Sequence, residues 1–420
     1  MSSKPHRRTT NNNHHARRPI WNWLSVAAGV LLLLIVVIKL VGGAVSFSAS
    51  TAAKLFEGEH MPIVGDLDVQ AEKKKDQITI NLLASGDVVV HGPVIKSGQK
   101  SDGSYNYDHL WKHVTKEVKA ADLALLSQET ILGGKDFGYS GYPAFNGPTE
   151  IGDSEVKAGW DVLVKASNHV LDMGADGISA ELAFWRTQHP KTAIIGMADS
   201  KESYDNIYVY EKEGFRVAFL NYTYDTNGIP IPESNPYATH LFDDDTIRAD
   251  VARAKKKADL VVVWAHWGTE YQATPDEFQQ HYAQLFNELG VDVVIGSHPH
   301  TIGPVDTMTN KSGHKMLIFY SLGNFMSNQI KGTMTSLGGQ VKVGLVKDKD
   351  GARVAHWEFD PVVTQRAEGT DFSVYKLSDY TDELASKNLT PLTLESCHKY
   401  CEGVLGSHYD RKSCSLTGKL

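Results

Sequence analysis

From Ile78 onward the sequence alternates between short β-branched or aliphatic runs that end in Gly, Asp, His or Asn and longer stretches of helical periodicity. The runs predict strands at Ile78–Ser85, Leu123–Ser127, Val162–Ala166, Thr192–Ile195, Phe215–Leu220, Leu260–Ala265, Val291–Ile295 and Lys315–Tyr320. Between them the periodicity predicts helices over Leu110–Ala120, Asp176–Gln188, Thr246–Lys257 and Pro275–Glu288. Runs that are apolar throughout indicate strands buried on both faces, so the alternation predicts a layered α/β fold. Beyond residue 338, Val341–Val346 and Val354–Val363 flank a turn at Lys347–Gly351 and predict an antiparallel pair. The Gly-, Tyr- and Pro-rich stretch Gly133–Gly147 reads as a loop, either a rim over a site or a surface excursion.

The pattern ahead of Ile78 differs. Residues 1–20 are polar, with Lys4, Arg7, Arg8, Arg17 and Arg18 and no acid, and predict a basic cytoplasmic tail. An apolar stretch follows within 21–45, broken only by Ser25 between Leu24 and Ile38, enough to cross a bilayer core of roughly 30 Å. Trp21 and Trp23 suit the interface, and Lys39 can extend its ammonium to the far side. The basic flank places the N-terminus in the cytoplasm and everything after the span outside, at the cell membrane. A cleaved signal peptide would export the same domain. Residues 46–77 predict a stalk, 78–365 the main domain, and 366–420 a C-terminal extension. That extension holds Cys397, Cys401 and Cys414, either with Cys414 paired to one of the others or as three free thiols.

Removing the five N-terminal charges from the formal net charge of −8 leaves about −13 on the remaining chain, which excludes nucleic acid as an expected partner. The partner expected from the apolar stretch is instead the lipid bilayer.

Several predicted strands end in residues that can ligate a cation: Asp87, Glu129, Asn168 beside His169, His266, and His298 with His300. Strand ends of an α/β sheet converge on one edge, so these distant residues meet in the fold. Singly, each has an ordinary explanation: a turn Asp, a solvated Glu, a His169 hydrogen-bonded to Asp172, or a His-rich turn. Together they occupy one topological place on successive strands. Carboxylate, amide and imidazole donors suit Mn, Fe or Zn and suffice for two divalent ions. On an extended Ser297–His300 segment both imidazoles would face one side. Glu270, close behind His266, is expected either to orient a ligand imidazole or to be a solvated loop charge.

The segments Ser85-Gly-Asp-Val, Ser127-Gln-Glu-Thr, Ser167-Asn-His-Val-Leu-Asp172, Ala265-His-Trp-Gly-Thr-Glu-Tyr271, Gly296-Ser-His-Pro-His300 and Tyr320-Ser-Leu-Gly-Asn-Phe325 resemble, in order, the signature of the CapA/PgsA family of poly-γ-glutamate capsule synthesis proteins. The resemblance covers roughly residues 78 to 330. It implies a calcineurin-like metallophosphatase-type fold, a four-layer α/β/β/α sandwich with a dimetal site. It also implies metal ligation by Asp87, Glu129, Asn168, His266, His298 and His300, with Glu129 bridging, His169 as the acid and Asn324 lining the pocket. Two departures stand out: Val89 where such phosphatases carry a histidine, and Ser127 where the family commonly has Asn. The resemblance implies a membrane-anchored protein of poly-γ-glutamate synthesis or export. Its reaction would be hydrolysis of a phosphoester or a γ-glutamyl amide; the alternative is a non-catalytic subunit that binds the polymer or its synthase partners.

Overall fold

The computed structural model describes residues 77–367 and 372–420. The expected tail, membrane span and nearly all of the stalk lie outside these residues, and among the described residues no helix is long and apolar enough to cross a membrane.

Two mixed sheets face one another. In the larger, β1 (Gln77–Val88), β2 (Leu123–Gln128), β3 (Val162–Val164) and β4 (Ala193–Ile195) run parallel in that spatial order. The smaller is built on parallel β6 (Phe215–Thr223), β7 (Leu260–His266), β8 (Val293–Ser297) and β10 (Lys315–Phe319), edged by antiparallel β5 (Tyr208–Lys212) and β9 (Val305–Thr309). On the other side of β1 the large sheet continues through antiparallel β12 (Leu337–Asp348), β13 (Gly351–Arg366) and β14 (Phe372–Lys376). Short β11 (Asn324–Met326) pairs with the end of β1, and β15 (Leu416–Lys419) with β13.

Strand alternation makes the layers. Ile80, Leu82 and Ala84 of β1 point into the same core as Leu260, Val262 and Trp264 of β7, between the sheets. The opposite faces are covered by helices. Leu83, Ala124 and Leu126 pack with Trp111, Ile151 and Trp185 outside the large sheet. Val261, Val263 and Ala265 pack with Ile247, Val251 and Phe286 outside the small one. The result is helix, sheet, sheet, helix. Of the helices, α1 (Glu150–Ala158) ends on Gly159 with a left-handed φ of 114°, followed by α2 (Gly174–Gln188). The Asp243 side chain caps α3 (Asp244–Lys257), and a capping box of Asp276 with Gln279 opens α4 (Glu277–Leu289).

Each predicted strand is present, but the helix expected at Leu110–Ala120 is two single turns, Asp108–Trp111 and Thr115–Val118. Its apolar residues, Leu110, Trp111, Val114 and Val118, bury all the same. The segment expected as a C-terminal extension supplies β14 and β15 to the large sheet. Its helix α5 (Leu394–Leu405) places Cys397 and Cys401 in the core between the sheets. All three cysteines are free thiols, the second of the two arrangements the sequence allows.

Two close approaches set the site end of the sandwich. A Cβ on Gly86 would lie 2.2 Å from the Gly323 oxygen, so only glycine lets β11 lie against β1 and bring Asn324 beside Asp87. Asn221 on β6 accepts from the backbone N–H groups of Lys165 and Ala166 and donates to the Trp264 carbonyl, pinning the sheets together below the ligand cluster.

Candidate metal centre

Asp87 lies at the end of β1, Glu129 just past β2, Asn168 and His169 past β3, His266 at the last position of β7, and His298 and His300 past β8. All are buried, and they form two groups of closely spaced donors: Glu129 with His266 and His298, and Asp87 with Glu129 and His300. Glu129 belongs to both. Its Oε1 lies 4.0 Å from His266 Nε2 and its Oε2 lies 3.9 Å from His300 Nδ1. Asn168 Oδ1 is 2.8 Å from that same His266 Nε2, so amide oxygen and imidazole nitrogen converge on one place.

The two histidines after β8 do not lie on an extended segment. His298 has a φ of 94° and His300 of 59°, a left-handed turn around Pro299 that costs roughly 1–3 kcal/mol per residue. The turn sends the two rings to different donor groups instead of one face. Gly296 makes room for it, because a Cβ there would sit 2.0 Å from the Tyr320 oxygen.

The side chains of these donor groups are held from behind. Ser127 Oγ donates to Asp87 at 2.7 Å and the His298 N–H at 2.9 Å, so the departure at Ser127 supplies a donor. Ser297 Oγ lies 3.0 Å from His266 Nδ1, accepts from Trp264 Nε1 at 2.9 Å and acts to lower the Asp87 carboxyl against its burial. One hydroxyl thus acts on residues destined for both donor groups. Asn324 presents Oδ1 to His300 Nδ1 at 3.0 Å, while its Nδ2 donates to the His300 and Thr335 carbonyls and to Gln329. At the departure from the phosphatase pattern Val89 is buried, and His91 points its Nδ1 at backbone groups of Val89 and Asn328.

Charge explains what this cluster wants. Burial raises the Asp87 carboxyl to about 6 despite its hydrogen bonds, and burial with Asp87 nearby holds Glu129 well above the usual range. Burial likewise holds the His266 and His298 rings well below their ordinary value and His300 down to about 3, so all three are neutral lone-pair donors at neutral pH. Among the described residues, neither carboxylate oxygen of Glu129 nor Nδ1 of His298 has a hydrogen-bond partner. Such orphaned buried donors amid neutral imidazoles fit divalent cations.

A family model described as "Bacterial capsule synthesis protein PGA_cap" matches residues 81–329, which hold every one of these side chains. The chain belongs to the PGA_cap family. Two relatives carry related names. The PGA biosynthesis protein CapA of Bacillus subtilis (strain 168) is 32% identical over 170 residues, covering 40% of this chain and 43% of that protein. The capsule biosynthesis protein CapA of Bacillus anthracis is 33% identical over 177 residues, 41% of each. The match thus spans less than half the length of either. Among solved structures, a 5'-nucleotidase precursor from Thermus thermophilus gives a TM-score of 0.44 at 15% identity, over 78% of this chain and 59% of that one. An NAD nucleotidase from Haemophilus influenzae gives 0.43 at 12%, over 80% and 65%.

His169 stands at the mouth of the centre. Its Nδ1 lies 2.8 Å from Asp172, the bond anticipated for a merely structural histidine, and that bond leaves Nε2 free to act. The Gly133–Gly147 loop walls this side: the Phe145 N–H donates to Asp172 and its ring packs edge-on against His169 and His91, while Tyr142 is exposed. Glu270, expected either to orient a ligand imidazole or to be a solvated loop charge, is exposed, and burial together with its charge raises the Tyr271 phenol. Sequence reasoning missed Ser297, although it lies inside the quoted Gly-Ser-His-Pro-His segment. It also missed Asn227, which accepts from Asn168 Nδ2 at 3.0 Å and turns that amide oxygen toward His266. Asn227 comes from a loop with no local signature.

Proposed function

We propose that this chain is a membrane-anchored, extracytoplasmic two-metal hydrolase that cleaves γ-glutamyl amide bonds of capsular poly-γ-glutamate. The observation that carries the reading is the sharing of unpartnered Glu129 between two donor groups. Family membership supports the polymer as substrate, and the basic tail followed by an apolar stretch supports the anchor.

Asp87, Glu129 and His300 would hold one divalent ion, and Glu129, Asn168, His266 and His298 the other; Mn, Fe and Zn all suit these donors. Bound there, the pair would supply an activated water and polarise the scissile carbonyl. The chain's own residues do the rest. Asp172 fixes the His169 ring so that Nε2 faces the mouth, and Phe145 packs against that ring. His169 delivers a proton from Nε2 to the departing amine as the water oxygen bonds to the γ-carbonyl carbon and the C–N bond breaks, and the proton that the water gives up returns His169 to its starting form. One product leaves as an amine and the other as a carboxylate.

The test is a chain-length assay of poly-γ-glutamate with the full, metal-loaded protein and His169→Ala. The account expects shortening with new amine ends, lost in the variant while metal stays bound. Turnover of phosphoesters without release of amine would replace the amide with a phosphoester substrate. Capsule assembly that survives His169→Ala, with no hydrolysis of either bond, would leave a polymer-binding subunit.

A further inference from the structure

A polymer bearing one free carboxylate per residue must reach a centre whose own side chains include Asp87, Glu129 and Asp172, with Glu270 exposed beside Tyr271. Three cationic side chains border that centre. Lys165 is fully buried, bonded to Glu181 at 2.9 Å and to the Thr130 carbonyl at 2.8 Å. Arg366 is buried too and committed to Ser327, Gln329, Ser336 and Thr390. Lys331 alone of the three is exposed, and among the described residues it makes no ion pair.

Its position is built. The ammonium lies 3.4 Å from the centroid of the Tyr271 ring, a cation–π contact that fixes a long side chain without neutralising it. Tyr271 in turn is anchored: its N–H donates to the Pro299 carbonyl at 2.8 Å, its backbone takes a left-handed φ of 63°, and its ring centroid lies 5.9 Å from that of His300. Gln329 reaches the Tyr271 hydroxyl at 3.4 Å while accepting from Asn324, the residue that holds His300. The Lys331 N–H donates to Thr335.

We propose that Lys331, seated on Tyr271, forms a carboxylate-recognition subsite that receives the free α-carboxylate next to the scissile γ-amide. This inference rests on the function proposed above and adds the determinant of substrate charge. An exposed, unpaired ammonium one aromatic ring away from His300 gives an anionic chain its favourable contact, and an uncharged chain gains nothing from it.

The test measures binding of two labelled γ-linked glutamate oligomers, one with free α-carboxylates and one with α-carboxamides, to the full metal-loaded chain. The wild type should bind the carboxylate form about tenfold more tightly than the carboxamide, a preference that falls with salt. Lys331→Met should remove most of that preference with metal content unchanged, and Lys331→Arg should restore it. A Lys331→Met chain that discriminates as the wild type does would assign charge recognition to the metals and overturn the inference, leaving the hydrolase reading intact. Failure of the wild type to bind either oligomer would remove the substrate class itself, and this subsite with it.

Discussion

One carboxylate oxygen of Glu129 lies 3.9 Å from Nδ1 of His300, while the other faces His266 at 4.0 Å, and neither has a hydrogen-bond donor among the described residues. A carboxylate buried in this way destabilises the metal-free chain and is useful only when cations arrive. Glu129→Gln should therefore raise the stability of the chelated protein by about 1 kcal/mol at pH 8. The same change should abolish the stabilisation gained on adding metal. Thermal melts with and without chelator check both signs.

Asp87 sets the pH response. Its carboxyl, ordinarily near 3.8, is pushed up to about 6 by burial in the metal-free site. Its contribution to the stability of the metal-free chain is full below 3.8 and lost as pH rises through about 6. A metal must displace that proton, so apparent metal affinity should fall roughly tenfold per pH unit on acidification below 6, and the raised Glu129 carboxyl adds to the same direction of fall. His300, held near 3, adds no slope in that window. Isothermal titration with Mn or Zn between pH 5 and 8 measures it; an affinity flat across that range contradicts the assignment of Asp87.

Ser297 is a positioning residue with a separable phenotype. Its hydroxyl meets His266 Nδ1 and Trp264 Nε1 and acts on the buried Asp87 carboxyl. Ser297→Ala should cost about 10- to 100-fold in metal affinity while the fold is retained. Metal titration beside circular dichroism separates that from unfolding.

Asp172→Asn probes the proposed proton donor, His169, through its neighbour. The carboxylate accepts from the Phe145 N–H and holds Nδ1 of His169 at 2.8 Å. The amide should lower kcat by about 100-fold or more, displace the pH profile of kcat, and leave metal content untouched. A change in KM alone would contradict the role given to His169.

The strands were legible because apolar runs bounded by turn residues leave few alternatives, and the convergence of Asp87, Glu129, His266, His298 and His300 because each closes a strand. The helix at Leu110–Ala120 was misread because a 3.6-residue apolar period is also met by two tight turns that bury Leu110, Trp111, Val114 and Val118. The backbone of His298 and His300 was misread because an extended reading ignores how closely Tyr320 crosses Gly296. Asn227 and Lys331 carried no local mark, since their significance arises only when distant loops meet Asn168 and Tyr271. The core role of Cys397 and Cys401 was hidden for a related reason: a short amphipathic helix at a chain end reads as a tail until a sheet is present to receive it.

The most direct test of the two-metal account is elemental analysis of the purified full chain after loading with Mn, Fe or Zn, beside the His298→Ala, His300→Ala double variant. About two ions per wild-type chain, and few or none in the variant, is the predicted result. A wild-type chain that holds no transition metal under replete conditions would contradict it.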